Sequence, residues 1–256
     1  MNWTTKFFGS SGAGTASQMP LLPDGVLVYA IGDIHGRVDL LKKLFALIKT
    51  DILSSDFKTV YFVFLGDYID RGFQSKQVID HLLDQDWGDL KAVFLKGNHE
   101  QTMLDFLTRP EIGPQWIEYG GLETLNSYGI KPPDQRADLS AWGRVSSELS
   151  ARLPKTHLEF LENLHSCFEL GECYFVHAGV DPSRPLDSQS DEDRLWIRDR
   201  FLGSTKKHTK VIVHGHTPED RPVWNGRRIG VDTGAYITNR LTAAKIQGYN
   251  IEFIAT

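Results

Sequence analysis

The chain has 256 residues, of which 41% are hydrophobic and 24% are charged, and its formal net charge is −5. This length and composition are those of a soluble globular protein that can bury a full core, as one large α/β domain or two small ones. The acidic balance and the scattered Lys and Arg residues argue against a nucleic-acid-binding surface. Apolar runs such as residues 26–31 are too short to cross a bilayer, so no membrane segment is expected.

The first 24 residues are polar, rich in Gly and Ser, and contain two prolines near their end. We expect them to form a loosely ordered leader, followed by a single domain over residues 25–256. They lack the continuous apolar stretch that a secretory signal requires. The two cysteines, Cys167 and Cys173, are expected to be buried thiols in a reducing compartment, which favours a cytoplasmic protein.

From residue 26 onwards, apolar runs alternate with helical patterns. Continuous apolar runs joined by helices are typical of strands that are covered on both faces in βαβ units, which predicts an α/β fold. Residues 110–155 interrupt this alternation with several prolines and two tryptophans, and they predict a partly helical insertion. The predicted strands cover residues 26–31, 60–65, 92–95, 174–176, 211–213, 228–231, 241–247 and 251–254, and the predicted helices cover residues 39–49, 75–83 and 157–164.

Five short polar strings each follow an apolar run, and together they supply carboxylate, imidazole and carboxamide groups. In open α/β sheets, ligands bind beyond the carboxyl ends of the strands, which is where these strings lie. One such string alone is commonly a turn, because Asp, Asn and Gly favour turns, but five in one chain are hard to reach by chance. The strings are Gly32-Asp33-Ile34-His35-Gly36, Gly66-Asp67-Tyr68-Ile69-Asp70-Arg71-Gly72, Gly97-Asn98-His99-Glu100, His177-Ala178-Gly179 and His214-Gly215-His216-Thr217.

The polar groups of the strings match the ligands of a two-metal site. Asp33 and His35 are two residues apart, so on extended backbone they share a face and can reach one ion. Asp67 can bridge two ions through its two oxygens. Mixed nitrogen and oxygen donors suit Mn²⁺, Fe or Zn²⁺ better than Ca²⁺. Two ions about 3.5–4 Å apart would clamp a phosphoryl oxygen and activate a shared water, which indicates hydrolytic phosphate chemistry. The further donors are Asn98, His177 and His216.

Two arginines are candidates for binding the phosphate. A transferring phosphoryl group spreads negative charge over its oxygens, and a guanidinium group matches them with a fork of donors. Arg71 lies four residues after Asp67, near the candidate ligands, and Arg198 is the second candidate. For Arg198 the alternative is a surface ion pair with Asp193 or Asp199.

His99 is the candidate general acid. A leaving alkoxide must be protonated, and His99 stands directly after the candidate ligand Asn98. A carboxylate would hold the imidazole oriented and protonated, and Asp70 is the natural partner. The alternative for His99 is a residue at the start of a helix without a catalytic role.

In these motifs the chain resembles the phosphoprotein phosphatase (PPP) family of calcineurin-like metallophosphatases, in particular the bacterial serine/threonine branch similar to bacteriophage lambda phosphatase. The family pattern GDxHG, GDxxDRG and GNHE is matched in full by residues 32–36, 66–72 and 97–100. The resemblance implies an α/β fold built as a four-layer αββα sandwich, with 110–155 as a small helical insertion. It also implies one ion held by Asp33, His35 and Asp67, a second held by Asp67, Asn98, His177 and His216, phosphate contacts from Arg71 and Arg198, and an acid pair of His99 and Asp70.

The resemblance further implies a metal-dependent serine/threonine protein phosphatase. Its hydroxide, activated by two divalent ions (Mn²⁺, or else Fe or Zn²⁺), would attack phosphorus in line, with His99 as general acid. The substrate would be a phosphorylated protein or a small phosphomonoester, because the Asp-Arg-Gly ending of the second string favours monoesters over diesters. Two alternatives stay open: a symmetric bis(5'-nucleosyl)-tetraphosphatase, and a non-catalytic module that binds a phospho-ligand. Tyr236 lies where eukaryotic members of the family place an active-site tyrosine.

Overall fold

The computed structural model describes residues 5–7, 20–53, 57–134 and 136–256. Its strands form two sheets, one of six strands in the order β1-β11-β10-β2-β3-β4 and one of five in the order β5-β6-β7-β9-β8. The strands are β1 (Thr5–Phe7), β2 (Val26–Ile31), β3 (Thr59–Phe64), β4 (Lys91–Phe94), β5 (Cys167–Leu170), β6 (Cys173–Val176), β7 (Val211–His214), β8 (Val223–Trp224), β9 (Arg228–Gly230), β10 (Thr242–Gln247) and β11 (Asn250–Ala255).

Helices connect these strands and also fill the predicted insertion. They are α1 (Val38–Leu53), α2 (Ser75–Leu83), α3 (Asn98–Thr108), α4 (Gly113–Trp116), α5 (Leu122–Ser127), α6 (Leu139–Arg152), α7 (Lys155–Glu162), α8 (Asp191–Trp196), α9 (Asp199–Leu202) and α10 (Ala235–Thr238). A π-helical turn at Ile117–Gly121 joins α4 to α5, and short 3₁₀ turns lie at Pro110–Ile112 and Leu186–Ser188. No helix of the described residues is long and apolar enough to span a membrane.

Alternate side chains of the central strands enter two different cores, as the two-residue period of a strand requires. In β2, Val28 and Ala30 join a cluster that also contains Phe175 and Val213 of the second sheet, so this core lies between the sheets. Leu27, Tyr29 and Ile31 instead pack with side chains of α1, α2 and α3. A third cluster packs Ile197 and Phe201 on the outer face of the second sheet. The predicted αββα sandwich is therefore confirmed.

The parallel pairing of the central strands puts the polar strings at one edge. β2, β3 and β4 are parallel neighbours in the first sheet, and β6, β7 and β9 are parallel neighbours in the second. Their carboxyl ends therefore meet at the same side of the sandwich, in agreement with the placement that the sequence predicts.

The predicted strands and helices agree with the structure except at a few places. The structure extends α1 from residue 49 to Leu53. It also adds elements that the apolar pattern did not predict, namely β1, α3, β5, α8, α9, β8 and α10. The insertion is helical over Gly113–Trp116, Leu122–Ser127 and Leu139–Arg152. Cys167 and Cys173 are both free thiols, but Cys167 is only partly buried, which corrects the expectation of two buried thiols.

The predicted leader, residues 1–24, falls largely outside the described residues. Within it, Thr5–Phe7 pairs antiparallel with β11, and Leu22 is fully buried in the core between the sheets. Leu21 donates its N–H to Gly248 and accepts one from Glu172. These contacts attach the described parts of the segment to both sheets.

Candidate metal centre

The turns that carry the polar strings adopt unusual backbone conformations. Six non-glycine residues of the described chain have a positive φ, and five of these lie in the strings. Such left-handed residues cost free energy and cluster at functional sites, where surrounding contacts hold them in place. Two further positions of the strings require glycine. A Cβ on Gly97 would lie 2.1 Å from the carboxylate of Asp67, and a Cβ on Gly215 would lie 2.1 Å from the carboxylate of Asp33. The five are His35, Asp67, Asp70, Arg71 and His216.

Asp67 lies between two imidazoles whose orientation is fixed by backbone carbonyls. His35 donates from Nδ1 to the carbonyl of Ile69 at 2.8 Å, and His177 donates from Nδ1 to the carbonyl of Leu65 at 2.8 Å. Each ring therefore carries its proton on Nδ1 and turns a lone pair on Nε2 towards the carboxylate. The Nε2 atom of His35 is 3.5 Å from Oδ2 of Asp67, and that of His177 is 3.5 Å from Oδ1.

A second set of lone pairs converges around His177. Its Nε2 atom is 2.9 Å from Oδ1 of Asn98 and 3.1 Å from Nδ1 of His216. Among the residues that the structure describes, the buried Nε2 atom of His216 has no hydrogen-bond partner. Lone pairs that face one another in a buried site need a positive partner, and a divalent cation supplies it.

The protonation of these side chains suits metal binding. Burial lowers the pKa of both His35 and His177, and burial together with the nearby His177 ring lowers the pKa of His216 to about 2. All three imidazoles are therefore neutral at neutral pH, which is the form that binds metals. Two groups of converging ligand atoms result, one of His35, Asp67 and His99 and one of Asp67, His177 and His216. The residues present thus fit a pair of cations that share Asp67.

Asp33 faces the same site but is oriented differently. Its two carboxylate oxygens accept the backbone N–H of His216 at 3.1 and 3.0 Å, and it is not part of either converging group of the described residues. Burial, followed by the charges of Asp232 and Asp67, raises its pKa well above the usual range. Clustered buried carboxylates of this kind are stabilised by a bound cation. Asp33 therefore stays a predicted ligand.

His99 and Asp70 form the predicted pair. Nδ1 of His99 is 2.7 Å from Oδ2 of Asp70, and Nε2 of the same ring points towards Oδ2 of Asp67 at 3.9 Å. Burial favours the neutral imidazole, but the charge of Asp67 and the hydrogen bond to Asp70 outweigh it, so the pKa of His99 is raised. His99 is also the second residue of α3, as the alternative interpretation of its position expects, and its role as an acid stays a prediction.

The two candidate arginines have different neighbours among the candidate site residues. The guanidinium carbon of Arg71 is 4.7 Å from the centroid of the Tyr236 ring, and that ring meets His35 edge-on. Arg198 is exposed at the start of α9, and its charge contributes to the lowered pKa of His177 and His216. The ion pairs of Asp193 are formed with Arg184 and Arg200, so the surface pair proposed as an alternative for Arg198 is not formed with Asp193.

Sequence reasoning gave no role to Glu100, although it belongs to the third string. Its fully buried carboxylate accepts the N–H of Gly97 and Asp67 at 2.9 Å, of Tyr68 at 2.8 Å and of Ile69 at 3.3 Å. Burial, together with the charge of Asp67, raises the pKa of Glu100 to about 8. Glu100 therefore ties the turn after β3 to the start of α3. Its spacing of three residues from Gly97, as in a capping box, was the available signal.

Replacing Glu100 by Gln should lower the stability of the metal-free protein. One carboxylate oxygen would become an amide NH₂ that faces backbone donors, which leaves buried N–H groups without acceptors. We expect the free energy of unfolding to fall by about 1–3 kcal/mol. Urea unfolding of metal-free protein measures this, with the exposed Glu162→Gln as the matched control. Equal stability of the two variants would show that the Glu100 contacts do not hold the turn.

Asp232 is a second residue to which sequence reasoning gave no role. It is buried, and its Oδ1 accepts the N–H of Gly234 at 2.9 Å. Burial, with the nearby charge of Asp67, raises its pKa to about 6. It adds negative charge near Asp33, and its place two residues after the end of β9 was the signal available in the sequence.

Comparison with known proteins identifies the class. The sequence profile of the Calcineurin-like phosphoesterase family matches residues 26–253. The chain therefore belongs to this family of metallophosphoesterases, enzymes that hydrolyse phosphoesters with divalent metal ions. A bis(5'-nucleosyl)-tetraphosphatase PrpE [asymmetrical] of Anoxybacillus flavithermus is 28% identical over 84% of this chain and 88% of its own length. Serine/threonine-protein phosphatase 1 of Salmonella typhimurium is 28% identical over 86% and 92%, and the resemblance to phosphoprotein phosphatases is confirmed.

Solved structures support the same fold. A crystal structure provisionally described as a diadenosine tetraphosphatase superimposes with a TM-score of 0.60, at 19% identity, over 93% of this chain and 98% of that one. A mutant of a cold-active protein tyrosine phosphatase superimposes with a TM-score of 0.51, at 18% identity, over 90% and 83%. At these identities the similarity shows the sandwich fold.

Proposed function

We propose that this metallophosphoesterase hydrolyses phosphoserine and phosphothreonine in proteins, in the cytoplasm. The observation that carries the proposal is the buried pair of His99 and Asp70 beside the shared carboxylate of Asp67. The alkoxide of a serine or threonine is a poor leaving group, so its departure requires a proton. The leaving group of a nucleoside polyphosphate is a phosphate with a pKa of about 6, which needs that proton much less. The presence of this acid pair therefore favours a phosphate ester of an alcohol as the substrate.

The chain's own residues supply binding, orientation and proton delivery. When bound, two divalent ions would neutralise the phosphoryl oxygens and acidify a water for attack. Arg71, whose guanidinium group lies over the Tyr236 ring, would hold two phosphoryl oxygens with its fork of donors. Asp70 keeps the proton-bearing ring of His99 in one orientation, so that Nε2 can give its proton to the leaving oxygen. The proposed ligands are Asp33, His35, Asp67, Asn98, His177 and His216, with Mn²⁺ as the proposed metal.

The test is phosphate release from a phosphothreonine peptide by metal-stripped protein, with and without added Mn²⁺. Release that depends on Mn²⁺ would support the proposal. Bound Mn²⁺ without release from the peptide or from any tetraphosphate would favour the alternative of a non-catalytic binding module.

A second candidate is hydrolysis of a bis(5'-nucleosyl) tetraphosphate. Two observations favour it: the relatives that carry this name, and an exposed Trp196 beside the ligand groups. The indole of Trp196 is 49% exposed, and it meets the ring of His216 edge-on at 6.4 Å between centroids. An exposed ring beside Arg198 could stack a nucleobase while the guanidinium meets phosphate. These relatives are named as asymmetrical tetraphosphatases, whereas the sequence motifs left a symmetric tetraphosphatase as the alternative.

Product analysis separates these substrates. Asymmetric cleavage gives a nucleoside monophosphate and a triphosphate, whereas symmetric cleavage gives two diphosphates. Trp196→Ala should then raise KM for the tetraphosphate and leave KM for p-nitrophenyl phosphate unchanged. If wild-type protein releases phosphate from the peptide but does not cleave the tetraphosphate, this second candidate is refuted.

Replacing Arg71 by Ala should weaken substrate binding while the metal content is retained. The guanidinium is not among the converging ligand atoms, but it is the half-buried cation next to them. We expect KM for p-nitrophenyl phosphate and the inhibition constant of inorganic phosphate to rise by about tenfold or more. Arg109→Ala is the matched control, because the charge of Arg109 is paired with Asp105 on the surface of α3. Unchanged KM and kcat would remove Arg71 from the site.

A further inference from the structure

The carboxylate of Asp70 makes more contacts than the pairing with His99 requires. It is completely buried, and it accepts hydrogen bonds from two side chains of the helical insertion. Trp116 donates from Nε1 to Oδ2 at 2.9 Å, the same oxygen that meets His99. Thr124 donates from Oγ1 to Oδ1 at 2.6 Å. A buried carboxylate can accept several such bonds, and each one restricts its rotation.

Thr124, together with Ser75, also fixes the backbone of Asp70. The Asp70 N–H is donated to Oγ1 of Thr124 at 2.9 Å and to Oγ of Ser75 at 3.1 Å. Asp70 has a φ of 69°, a conformation that costs free energy in a non-glycine residue unless contacts like these hold it. Side chain and main chain of Asp70 are therefore both held by Thr124.

The insertion is shaped to bring Trp116 to this place. The ring of Trp116 packs on Phe106 of α3, with centroids 4.9 Å apart, and α3 is the helix that begins with Asn98 and His99. A Cβ on Gly121 would lie 2.5 Å from the Trp116 ring, so a glycine is required there. The carbonyl of Gly120 accepts the N–H of Arg71 at 3.0 Å, which joins the same turn to the next residue of the string.

We propose that Trp116 and Thr124 are positioning residues that hold the Asp70 carboxylate, and through it the His99 imidazole, in the orientation that protonates the leaving group. This inference rests on the proposed acid role of His99. It gives the helical insertion a function in the reaction, because among the described residues the buried carboxylate would otherwise retain only the His99 ring on its side-chain oxygens. The insertion thus completes the acid pair from outside the five polar strings.

One variant removes the hydrogen bond of Trp116 to Asp70 and makes the ring smaller, and the other removes both hydrogen bonds of the Thr124 hydroxyl group to Asp70 with little change in side-chain shape. Trp116→Phe removes the Nε1–H, and Thr124→Val removes the hydroxyl group while Thr124→Ser keeps it. For each variant kcat is measured with an alkyl phosphate and with p-nitrophenyl phosphate, whose leaving group needs little protonation. We expect Trp116→Phe and Thr124→Val to lower kcat for the alkyl ester by about tenfold, to change kcat for the aryl ester much less, and to leave KM and the Mn²⁺ content unchanged. Thr124→Ser should behave as wild type.

Trp142→Phe is the matched control. Trp142 is as buried as Trp116 and packs on the same Phe106, but within the described residues its Nε1 atom has no hydrogen-bond partner. It should therefore change the urea midpoint without changing the ratio of alkyl to aryl rates. In a His99→Asn background, Trp116→Phe should have no further effect on that ratio, because the positioning acts through His99.

Equal losses for the two esters, a loss of Mn²⁺, or an effect that persists without His99 would overturn the proposal and leave Trp116 a purely structural residue. The proposal would also be overturned if Trp116→Phe and Thr124→Val left the ratio of alkyl to aryl ester rates unchanged. These outcomes differ from a failure of the proposed function, in which wild-type protein itself releases no phosphate from the peptide or from either ester.

Discussion

Replacing Asp67 by Asn should abolish metal binding and hydrolysis together. The two oxygens of Asp67 face different imidazoles, Oδ2 towards His35 and Oδ1 towards His177, each at 3.5 Å. It is the residue that both converging groups share. Asn keeps one oxygen and has no negative charge, so the substitution removes a ligand from one cation and weakens the binding of the other. We expect kcat to fall by about 10³-fold or more, and the Mn²⁺ content to fall from two ions towards none.

The measurement combines elemental analysis of the purified variant, calorimetric titration with Mn²⁺ and turnover of p-nitrophenyl phosphate. Asp105→Asn is the matched control, because this carboxylate is paired with Arg109 on the surface of α3. Urea unfolding of both metal-free variants checks that they fold. A folded Asp67→Asn protein that binds two ions with unchanged affinity and retains turnover would refute the shared-ligand assignment.

The sandwich could be predicted because its strands have a simple physical signature. Strands that are buried on both faces read as continuous apolar runs, and each run here ends in a polar string. The predicted run over residues 26–31 coincides with β2, and most other strands differ from their predictions by a single residue at one or both ends. β5 and β8 escaped prediction because they are short and only partly buried, so their sequences lack an apolar run.

α3 escaped prediction for a functional reason. Its buried face begins with Asn98, His99 and Glu100, and only Met103 and Phe106 continue it with apolar side chains. Hydrophobic periodicity identifies a helix by its apolar buried face, and here the first turn of that face consists of polar candidate site residues. The same polar string that predicted a ligand and an acid therefore concealed the helix that holds them.

The proximity of the candidate site residues could be predicted from local sequence, but the contacts that support them could not. The strings placed Asp67, His99 and Asp70 at strand ends from local sequence alone. Trp116 and Thr124 reach Asp70 across 46 and 54 residues of chain, and no local pattern connects them. Trp116 was read only as a part of the insertion, because the packing of the insertion on α3 is a tertiary contact.

Replacing His99 by Asn should lower turnover selectively for esters with poor leaving groups. Nδ1 of His99 is held by Asp70 at 2.7 Å, and the raised pKa of the ring keeps a proton available near neutral pH. Removing the His99 imidazole leaves the proposed metal ligands in place, so the Mn²⁺ content should be close to that of wild type. We expect kcat to fall by about 10²-fold or more for an alkyl phosphate or phosphothreonine peptide, and by much less for p-nitrophenyl phosphate.

The leaving-group dependence is what makes this result specific to an acid. A plot of log kcat against leaving-group pKa should be steeper for His99→Asn than for wild type, because the variant must expel the alkoxide without a proton. His165→Asn is the matched control, since His165 is exposed and its backbone N–H and carbonyl pair with Phe94 and Lys96. Equal losses across the series would contradict the acid role. Since His99 also lies in a converging group with His35 and Asp67, equal losses accompanied by missing Mn²⁺ would assign it to metal binding instead.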